Sequence, residues 1–285
     1  MSRMFYVNGD FVSEEDAKVS VLDRGFLFAD AVYEVSTVLN GRLIDNTAHL
    51  RRLARSMSEL NMQPPCSDQE IQSAQHKLLE LNGVTEGLLY LQVTRGVADR
   101  DFAYPVNSQS TLVMFTQSNQ LINNPKAETG ISVISVPDIR WKRRDIKTVG
   151  LLAPSMAKQS ALDAGAQDAW MVEDGLVTEG TSNNAYIVRQ DNVIQTRQIG
   201  HEILSGITRT AVLKFASETG MQVEEKPFSI EDAYQAKEAF ITSASTFVMP
   251  VVNIDNRPVG AGQPGPVALR LRQIYIETAL QRVDL

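Results

Sequence analysis

Apolar stretches separated by turn-forming pairs recur along the chain, and this pattern predicts its strands. Asn8-Gly9, Asn40-Gly41 and Asp174-Gly175 each stand between two such stretches, which is typical of two-residue hairpin loops. Asp23-Arg24-Gly25 is interpreted as a further turn, leading into the apolar Phe26-Leu-Phe. Strands are predicted over residues 4–7, 11–12, 31–39, 43–44, 88–94, 111–117, 131–136 and 239–242.

Helical periodicity and end signals predict the helices. A helix over 46–61 is indicated by apolar side chains at helical spacing, namely Leu50, Leu53, Met57 and Leu60. A second begins at Ser67, where Ser67 and Glu70 form a capping box, and ends at Gly83. Ser229 and Asp232 indicate another capped start. Further helices are predicted over about 154–164, 208–219 and 266–279.

The interleaving of helices and strands predicts an α/β (α+β) protein. A chain of 285 residues is expected to form two domains. The polar run 119–128 has the composition of a linker. We therefore expect a smaller N-terminal α/β domain at 1–118, a linker at 119–128 and a larger C-terminal domain at 129–285.

Net charge, cysteine content and the lengths of apolar runs indicate which binding partners and which cellular compartment to expect. The net charge of −7 and a pI near 5.1 argue against a nucleic-acid-binding protein, which usually has a basic surface. Cys66 is the single cysteine, so no internal disulfide forms and a reducing compartment is expected. The sequence has no apolar run of membrane-spanning length, and its first residues lack the apolar core of a signal peptide. We expect a cytoplasmic protein without membrane or nucleic-acid partners.

A lysine and a glutamate stand out as candidates for chemistry. Lys147 lies between Ile146 and the apolar 149–152, which suggests partial burial of its amine. Glu179 precedes small polar residues, including Ser182 and Asn183, that lead into an apolar strand. A lysine that forms a Schiff base, together with a carboxylate that keeps a ring nitrogen protonated, suits a pyridoxal phosphate site. The more common alternatives are a surface lysine and a solvated turn carboxylate.

Phosphate binding requires a cation and backbone N–H donors. Gly206-Ile207-Thr208 opens a predicted helix, whose first N–H groups and dipole favour an anion. Arg52 can supply a bidentate guanidinium. An ordinary helix start and an exposed helical charge are the alternatives. The three histidines do not cluster and no Cys/His metal spacing occurs, so no metal site is expected.

Four segments resemble the class IV (fold type IV) aminotransferases, and among these the D-amino-acid transaminases. They are residues 23–34 (DRGFLFADAVYE), 92–96 (QVTRG), 145–147 (DIK) and 178–180 (TEG). The resemblance covers nearly the whole chain in the family's order. It implies a homodimer of two-domain subunits with pyridoxal 5′-phosphate at the domain interface. It also implies transfer of an amino group from a D-amino acid to a 2-oxo acid such as 2-oxoglutarate or pyruvate.

The resemblance also implies residue roles. Lys147 would hold the cofactor and move the proton, Glu179 would pair with the ring nitrogen, and Arg140 would lie near the ring hydroxyl or Tyr33. Tyr33 would face the cofactor, and Ser245 would contact substrate. The residues implied for the phosphate are Arg52, Ile207, Thr208, Ser243 and Ala244, and the further candidates for cofactor contact are Ser182 and Asn183. Ala244 stands where the family relative has threonine, so a hydroxyl contact is lost.

One loop departs from the family pattern. The transaminases that the chain resembles have an arginine, one residue and a histidine here, which bind the substrate carboxylate from the neighbouring subunit. Arg100 keeps the arginine, whereas Phe102 replaces the histidine. A phenylalanine could accept a less polar group, so an (R)-amine transaminase is an alternative. A branched-chain L-amino-acid transaminase, whose resemblance implies the same cofactor apparatus, is another. Less favoured ones are an aminodeoxychorismate lyase and a non-catalytic scaffold.

Overall fold

The computed structural model describes residues 3–281, which form two compact units. The first unit comprises 3–120 together with 146–150, and the second comprises 121–145 together with 151–281. The first boundary thus lies within two residues of the expected end of the N-terminal domain. The segment 146–150, which contains Lys147, groups with the first unit and not with the expected C-terminal domain.

The first unit is built on a six-stranded antiparallel sheet in the order β2-β1-β6-β5-β3-β4. Its strands are β1 Met4–Val7, β2 Asp10–Ser13, β3 Ala31–Leu39, β4 Arg42–Leu43, β5 Glu86–Thr94 and β6 Thr111–Ser118. Asn8 and Asn40 both have positive φ, as a tight hairpin loop requires. Both predicted hairpins of this unit are therefore confirmed.

Three helices belong to the first unit: α1 Arg24–Phe28, α2 Asn46–Glu59 and α3 Asp68–Asn82. The apolar face of α2 places Leu50, Leu53 and Met57 in the core. The α3 capping box at Ser67 is present as predicted. The turn expected at residues 23–25 is instead the start of α1, because the Asp23 carboxylate accepts a hydrogen bond from the N–H of Gly25 and caps a short helix.

The segment 146–150 joins the first unit through backbone hydrogen bonds to β3. Tyr33 N–H donates to the carbonyl of Lys147 at 3.0 Å, and Val149 N–H donates to the carbonyl of Ala31 at 3.1 Å. Ile146 is buried in the same apolar core as α2. These long-range contacts explain why the lysine groups with residues far away in sequence.

The second unit contains a nine-stranded mixed sheet in the order β12-β11-β10-β13-β14-β7-β8-β9, with β15 paired to β14. Its strands are β7 Ile131–Pro137, β8 Asp168–Glu173, β9 Leu176–Gly180, β10 Asn184–Val188, β11 Ile194–Thr196, β12 Val223–Glu225, β13 Glu238–Ser243, β14 Phe247–Ile254 and β15 Arg257–Pro258. The predicted hairpin at Asp174 lies between β8 and β9. The β-sheet core includes Trp170, Phe228 and Ile241, all nearly inaccessible to solvent.

Five helices belong to the second unit: α4 Pro125–Thr129, α5 Leu152–Asp163, α6 Ile207–Glu218, α7 Ile230–Tyr234 and α8 Pro266–Gln281. The short α4 falls in the run expected to be a linker, where Asn124 caps it and Pro125 occupies its first turn. Glu238 accepts hydrogen bonds from the first N–H groups of α8, at Val267 and Ala268. Among residues 3–281, no helix has both the length and the apolar character needed to cross a membrane.

Candidate active site

Lys147 is placed by the strand-like segment 146–150 and is half-buried. Its Nζ lies 4.1 Å from the centroid of the Tyr33 ring. Within residues 3–281, Nζ has neither a carboxylate partner nor a hydrogen bond. An amine packed on an aromatic face without an acidic partner is available to bond to a carbonyl carbon.

Tyr33 lies on β3 with its ring half-buried between Lys147 and Tyr90. The Tyr33 and Tyr90 rings stack at 5.5 Å, and Tyr90 stacks in turn on Phe115 at 4.7 Å. This aromatic row fixes the face on which the lysine amine rests.

Arg52 lies on α2 and is paired with a buried glutamate. Its Nε and Nη2 donate to the two carboxylate oxygens of Glu34 at 2.8 and 2.7 Å. The His49 Nδ1 lies 2.7 Å from the same carboxylate. Burial raises the pKa of Glu34, but Arg52 and His49 outweigh burial and lower it to about 2. The ionised glutamate therefore fixes the direction of the Arg52 guanidinium.

Glu179 lies near the end of β9 and is buried, with 4% of its surface exposed. Arg140 Nη1 donates to its Oε1 at 2.5 Å. Asp138 holds Arg140 from the other side, because Arg140 Nε and Nη2 donate to its two oxygens at 3.0 and 2.7 Å. Burial raises the pKa of the Glu179 carboxyl, and its hydrogen bonds oppose this rise in part. A further positive charge beside this carboxylate would be stabilised.

The other oxygen of Glu179 is bound by groups from two different elements. Asn184 Nδ2 and the backbone N–H of Leu204 donate to Oε2 at 3.0 and 3.1 Å. Asn184 also donates to the carbonyl of Leu204 at 2.9 Å. The side chain of Asn183 points elsewhere, to Asp168 at 2.6 Å, and Ser182 is exposed. Asn184 and the backbone of Leu204 therefore fix the glutamate, and cofactor contact by Ser182 and Asn183 stays a prediction.

The helix start predicted after Gly206 is present. The α6 helix begins at Ile207, and its N-cap residue, Gly206, has no side chain that could cap it. A Cβ on Gly206 would lie 2.2 Å from the Asn184 side-chain oxygen, so a larger residue here would displace Asn184. Ile207 is half-buried and Thr208 is buried at the first turn. Uncapped N–H groups at a helix start are suited to a phosphate.

Ser243, Ala244 and Ser245 form a half-buried turn between β13 and β14. Ser243 Oγ accepts a hydrogen bond from the N–H of Thr246 at 3.2 Å and lies 2.8 Å from its hydroxyl. Ser245 Oγ lies 3.2 Å from Ser243 Oγ. This hydroxyl turn carries several donors in a short stretch of chain.

Arg100 and Phe102 lie together on an exposed loop of the first unit. Phe102 has 79% of its surface exposed, and its ring packs 5.6 Å from the ring of Phe28. The Arg100 guanidinium lies 5.4 Å from the Phe28 ring and 5.7 Å from the Phe102 ring. Buried Arg24 supports the loop by donating to the carbonyls of Asp101 and Ala103. Arg100 is therefore held by aromatic contacts.

Several residues of these clusters carry no role in the sequence-based prediction. Glu34 and His49 orient Arg52, while Asp138 and Asn184 orient Arg140 and Glu179. Asp138 stands two residues before Arg140, and this short spacing between opposite charges is the sequence signal that could have predicted their ion pair. The side chains of adjacent residues in an extended chain point to opposite sides. The pair Asn183-Asn184 therefore predicts one amide beside Glu179, but the sequence does not say which of the two it is. Within residues 3–281, no cluster of three metal-ligating side chains is present.

Comparison with known proteins identifies the family of the chain. The sequence profile of the family "Amino-transferase class IV" matches residues 31–254. The D-alanine aminotransferase of Bacillus licheniformis is 40% identical over 276 residues, which are 96% of this chain and 94% of that protein. The corresponding protein of Staphylococcus aureus (strain MSSA476) is 37% identical over 277 residues, 96% and 98% of the two chains.

A solved structure shows the same fold. The branched-chain amino acid aminotransferase of T.th., complexed with N-(5′-phosphopyridoxyl)-L-glutamate, superposes with a TM-score of 0.91 at 28% identity. The match covers 99% of this chain and 96% of that one. The expected α/β, fold type IV architecture is thereby confirmed. This chain belongs to the class IV aminotransferases.

Proposed function

We propose that this protein is a pyridoxal 5′-phosphate-dependent transaminase that moves an amino group from a D-amino acid to a 2-oxo acid. The observation that carries the proposal is the 40% identity to a D-alanine aminotransferase over nearly the full length of both chains. 2-Oxoglutarate and pyruvate are the acceptors we propose. The transfer itself follows from membership of the aminotransferase family.

The residues present fit the cofactor in three respects. Lys147 offers an amine without an acidic partner among the described residues, and Glu179 offers a buried carboxylate that favours a nearby cation. The start of α6, which follows a glycine N-cap, offers backbone N–H groups for a phosphate. Bound pyridoxal phosphate supplies an aldehyde carbon that bonds to amines and a ring that accepts the electron pair left when a Cα proton is removed.

Lys147 Nζ has two roles in the proposed reaction. It would hold the cofactor through the aldehyde carbon, and when it is free of the cofactor it would take the substrate Cα proton and give it back later in the transfer. The Tyr33 ring, 4.1 Å away, limits where this nitrogen can move. A base that is both near and restrained gains from proximity.

Glu179 has an electrostatic role. Its Oε2 is aimed by Asn184 and Leu204, and its Oε1 is held by Arg140, so the carboxylate has little freedom to turn. A carboxylate fixed in this way keeps a ring nitrogen protonated and so favours loss of the Cα proton. We assign the phosphate to Arg52, Ile207, Thr208, Ser243 and Ala244, where Ala244 contributes backbone only.

The substrate carboxylate is assigned to Arg100 of a second subunit, with Tyr33 and Ser245 also facing the substrate. Phe102, Phe26 and Val106 have 79%, 73% and 94% of their surfaces exposed in the single chain. Exposed apolar side chains of this size support a homodimer that covers them. The single cysteine supports a cytoplasmic location, where disulfides are rare.

A branched-chain L-amino-acid transaminase is the second candidate, because a structure of that activity superposes at a TM-score of 0.91. An (R)-amine transaminase is the third, because Phe102 removes the expected carboxylate-binding histidine. Half-reactions with D-alanine, L-leucine and (R)-1-phenylethylamine, followed by the absorbance of the bound cofactor, separate the three. We expect D-alanine to convert fastest. Rapid conversion of L-leucine alone would overturn the proposal.

Replacing Phe102 by histidine should improve the binding of donors that carry a carboxylate. A hydrogen bond to the carboxylate is gained, so we expect KM for D-alanine to fall about threefold to tenfold. KM for (R)-1-phenylethylamine should rise, since an apolar contact is lost. Leu162→His, at an exposed apolar residue of α5, is the control. Unchanged KM values for both donors in Phe102→His would show that this loop does not reach the substrate.

A further inference from the structure

Arg272, on α8, is a buried cation without an acidic partner among residues 3–281. It has 6% of its surface exposed. Its Nη1 donates to the carbonyls of Thr246 and Val248 at 2.6 and 3.1 Å, and its Nη2 donates to those of Leu121 and Ile122 at 2.7 and 3.1 Å. Buried charges in proteins are ordinarily paired, and burial here lowers the pKa of this guanidinium. An arginine keeps its proton even so, and its positive charge remains in the interior.

Phe247 stands between two of these carbonyls and has an unusual backbone. Its φ is +58°, in the left-handed region, and the residue is completely buried. A bulky residue with this conformation is strained and persists only where the surroundings enforce it. Arg272 binds the carbonyl before Phe247 and the carbonyl after it with the same nitrogen. The guanidinium therefore clamps the strained residue on both sides.

The clamped residue is separated by Thr246 alone from the hydroxyl turn of Ser243, Ala244 and Ser245. Thr246 connects Arg272 to the turn. Its carbonyl accepts a hydrogen bond from Arg272, and its N–H donates to Ser243 Oγ. The hydrogen bond from Arg272 therefore fixes the backbone of Thr246, and through it the conformation of the turn. Within residues 3–281, the Arg272 guanidinium is bound by carbonyl oxygens and by no carboxylate, so its positive charge is not neutralised. That charge would attract an anion bound at the turn.

We propose that Arg272 is a positioning residue for phosphate, holding the Ser243–Ser245 turn in its binding shape and supplying the positive charge behind it. This inference rests on the proposed function, which places the cofactor phosphate at this turn. A strained backbone at Phe247 beside the turn is expected if phosphate binding requires the donors of the turn in one fixed geometry. Arg272 itself does not touch the cofactor in this proposal.

The test compares two cofactor forms that differ only in phosphate. The apoprotein is titrated with pyridoxal phosphate and with pyridoxal, and binding is followed by cofactor absorbance. Arg272→Met should weaken pyridoxal phosphate about tenfold or more while changing the Kd for pyridoxal less than about twofold. Inorganic phosphate should compete with pyridoxal phosphate in the wild type at lower concentration than in the variant.

Arg270→Met is the matched control, because Arg270 lies on the same helix but is exposed and donates to the side chain of Gln273. It should bind both forms as the wild type does. Arg272→Lys keeps the charge but cannot span the same carbonyls, so it should weaken pyridoxal phosphate selectively and by less. If Arg272→Met does not fold, the lysine variant decides the matter by the same comparison.

Equal weakening of both forms, or unchanged binding of pyridoxal phosphate, would overturn the role of Arg272. The proposed function fails in a different way, namely if the wild-type apoprotein binds neither form at Lys147. Borohydride reduction followed by peptide mass spectrometry reports that bond. The two failures are therefore distinguishable in one set of samples.

Discussion

Replacing Lys147 by alanine should reduce the rate of amino transfer by roughly 10⁴-fold or more, because one substitution removes both the covalent attachment and the proton-transferring base. The purified variant should lose the yellow colour expected of the wild type. Borohydride should fix the cofactor to the peptide containing Lys147 in the wild type and to no peptide in the variant. Steady-state kinetics with D-alanine and 2-oxoglutarate measure the rate.

Lys142→Ala is the control for this substitution. Lys142 lies five positions away, is exposed, and pairs with Glu173 at the surface. Its loss should leave both the colour and the rate as in the wild type. Undiminished turnover in Lys147→Ala, or a borohydride label on another lysine, would remove the basis of the proposed mechanism.

Replacing Glu179 by glutamine should lower kcat by roughly 10²- to 10³-fold while the cofactor stays bound. The amide keeps the size of the side chain and can still accept from Asn184 and Leu204, but it carries no charge to hold a ring nitrogen protonated. The affinity for pyridoxal phosphate should change much less than kcat, because attachment through Lys147 is preserved. Absorbance titration and steady-state kinetics on the same preparation separate the two effects.

Two further variants sharpen the interpretation. Glu179→Asp keeps the charge and should retain more activity than Glu179→Gln. Glu224→Gln removes a half-exposed glutamate that pairs with Arg189 in the same unit, and kcat should be unaffected. A glutamine variant with wild-type kcat would show that the ring nitrogen is not governed by this carboxylate. Equal losses in the glutamine and aspartate variants would indicate a packing role.

The sequence predicts those parts of the fold whose signals are local. The Asn8 and Asn40 hairpins and the capping box at Ser67 each depend on a few adjacent residues, and all three are present. The turn expected at residues 23–25 is a helix, because a single aspartate can open either structure. The short parallel pair of β11 and β12 was not predicted, because few apolar residues mark it and its partner lies far away in sequence.

The candidate site shows the same limit. Lys147 and Glu179 stand out by residue type and neighbours, whereas the groups that orient them come from distant positions. Asn184 and Leu204 converge on Glu179 from β10 and from the chain before α6. The buried position of Arg272 and the positive φ of Phe247 could not be predicted either. Neither a guanidinium bound by carbonyls nor a left-handed phenylalanine produces a local sequence pattern.

The membership of residues 146–150 in the first unit has a consequence for biosynthesis. While a nascent chain emerges, residues 3–120 are complete well before this segment, yet the edge of β3 at Ala31 and Tyr33 has no partner there until residue 149 has left the ribosome. The first unit therefore cannot reach its final state as a separate early-folding module. For the same reason, a gene fragment that stops at residue 120 would yield a protein with an open strand edge, prone to self-association.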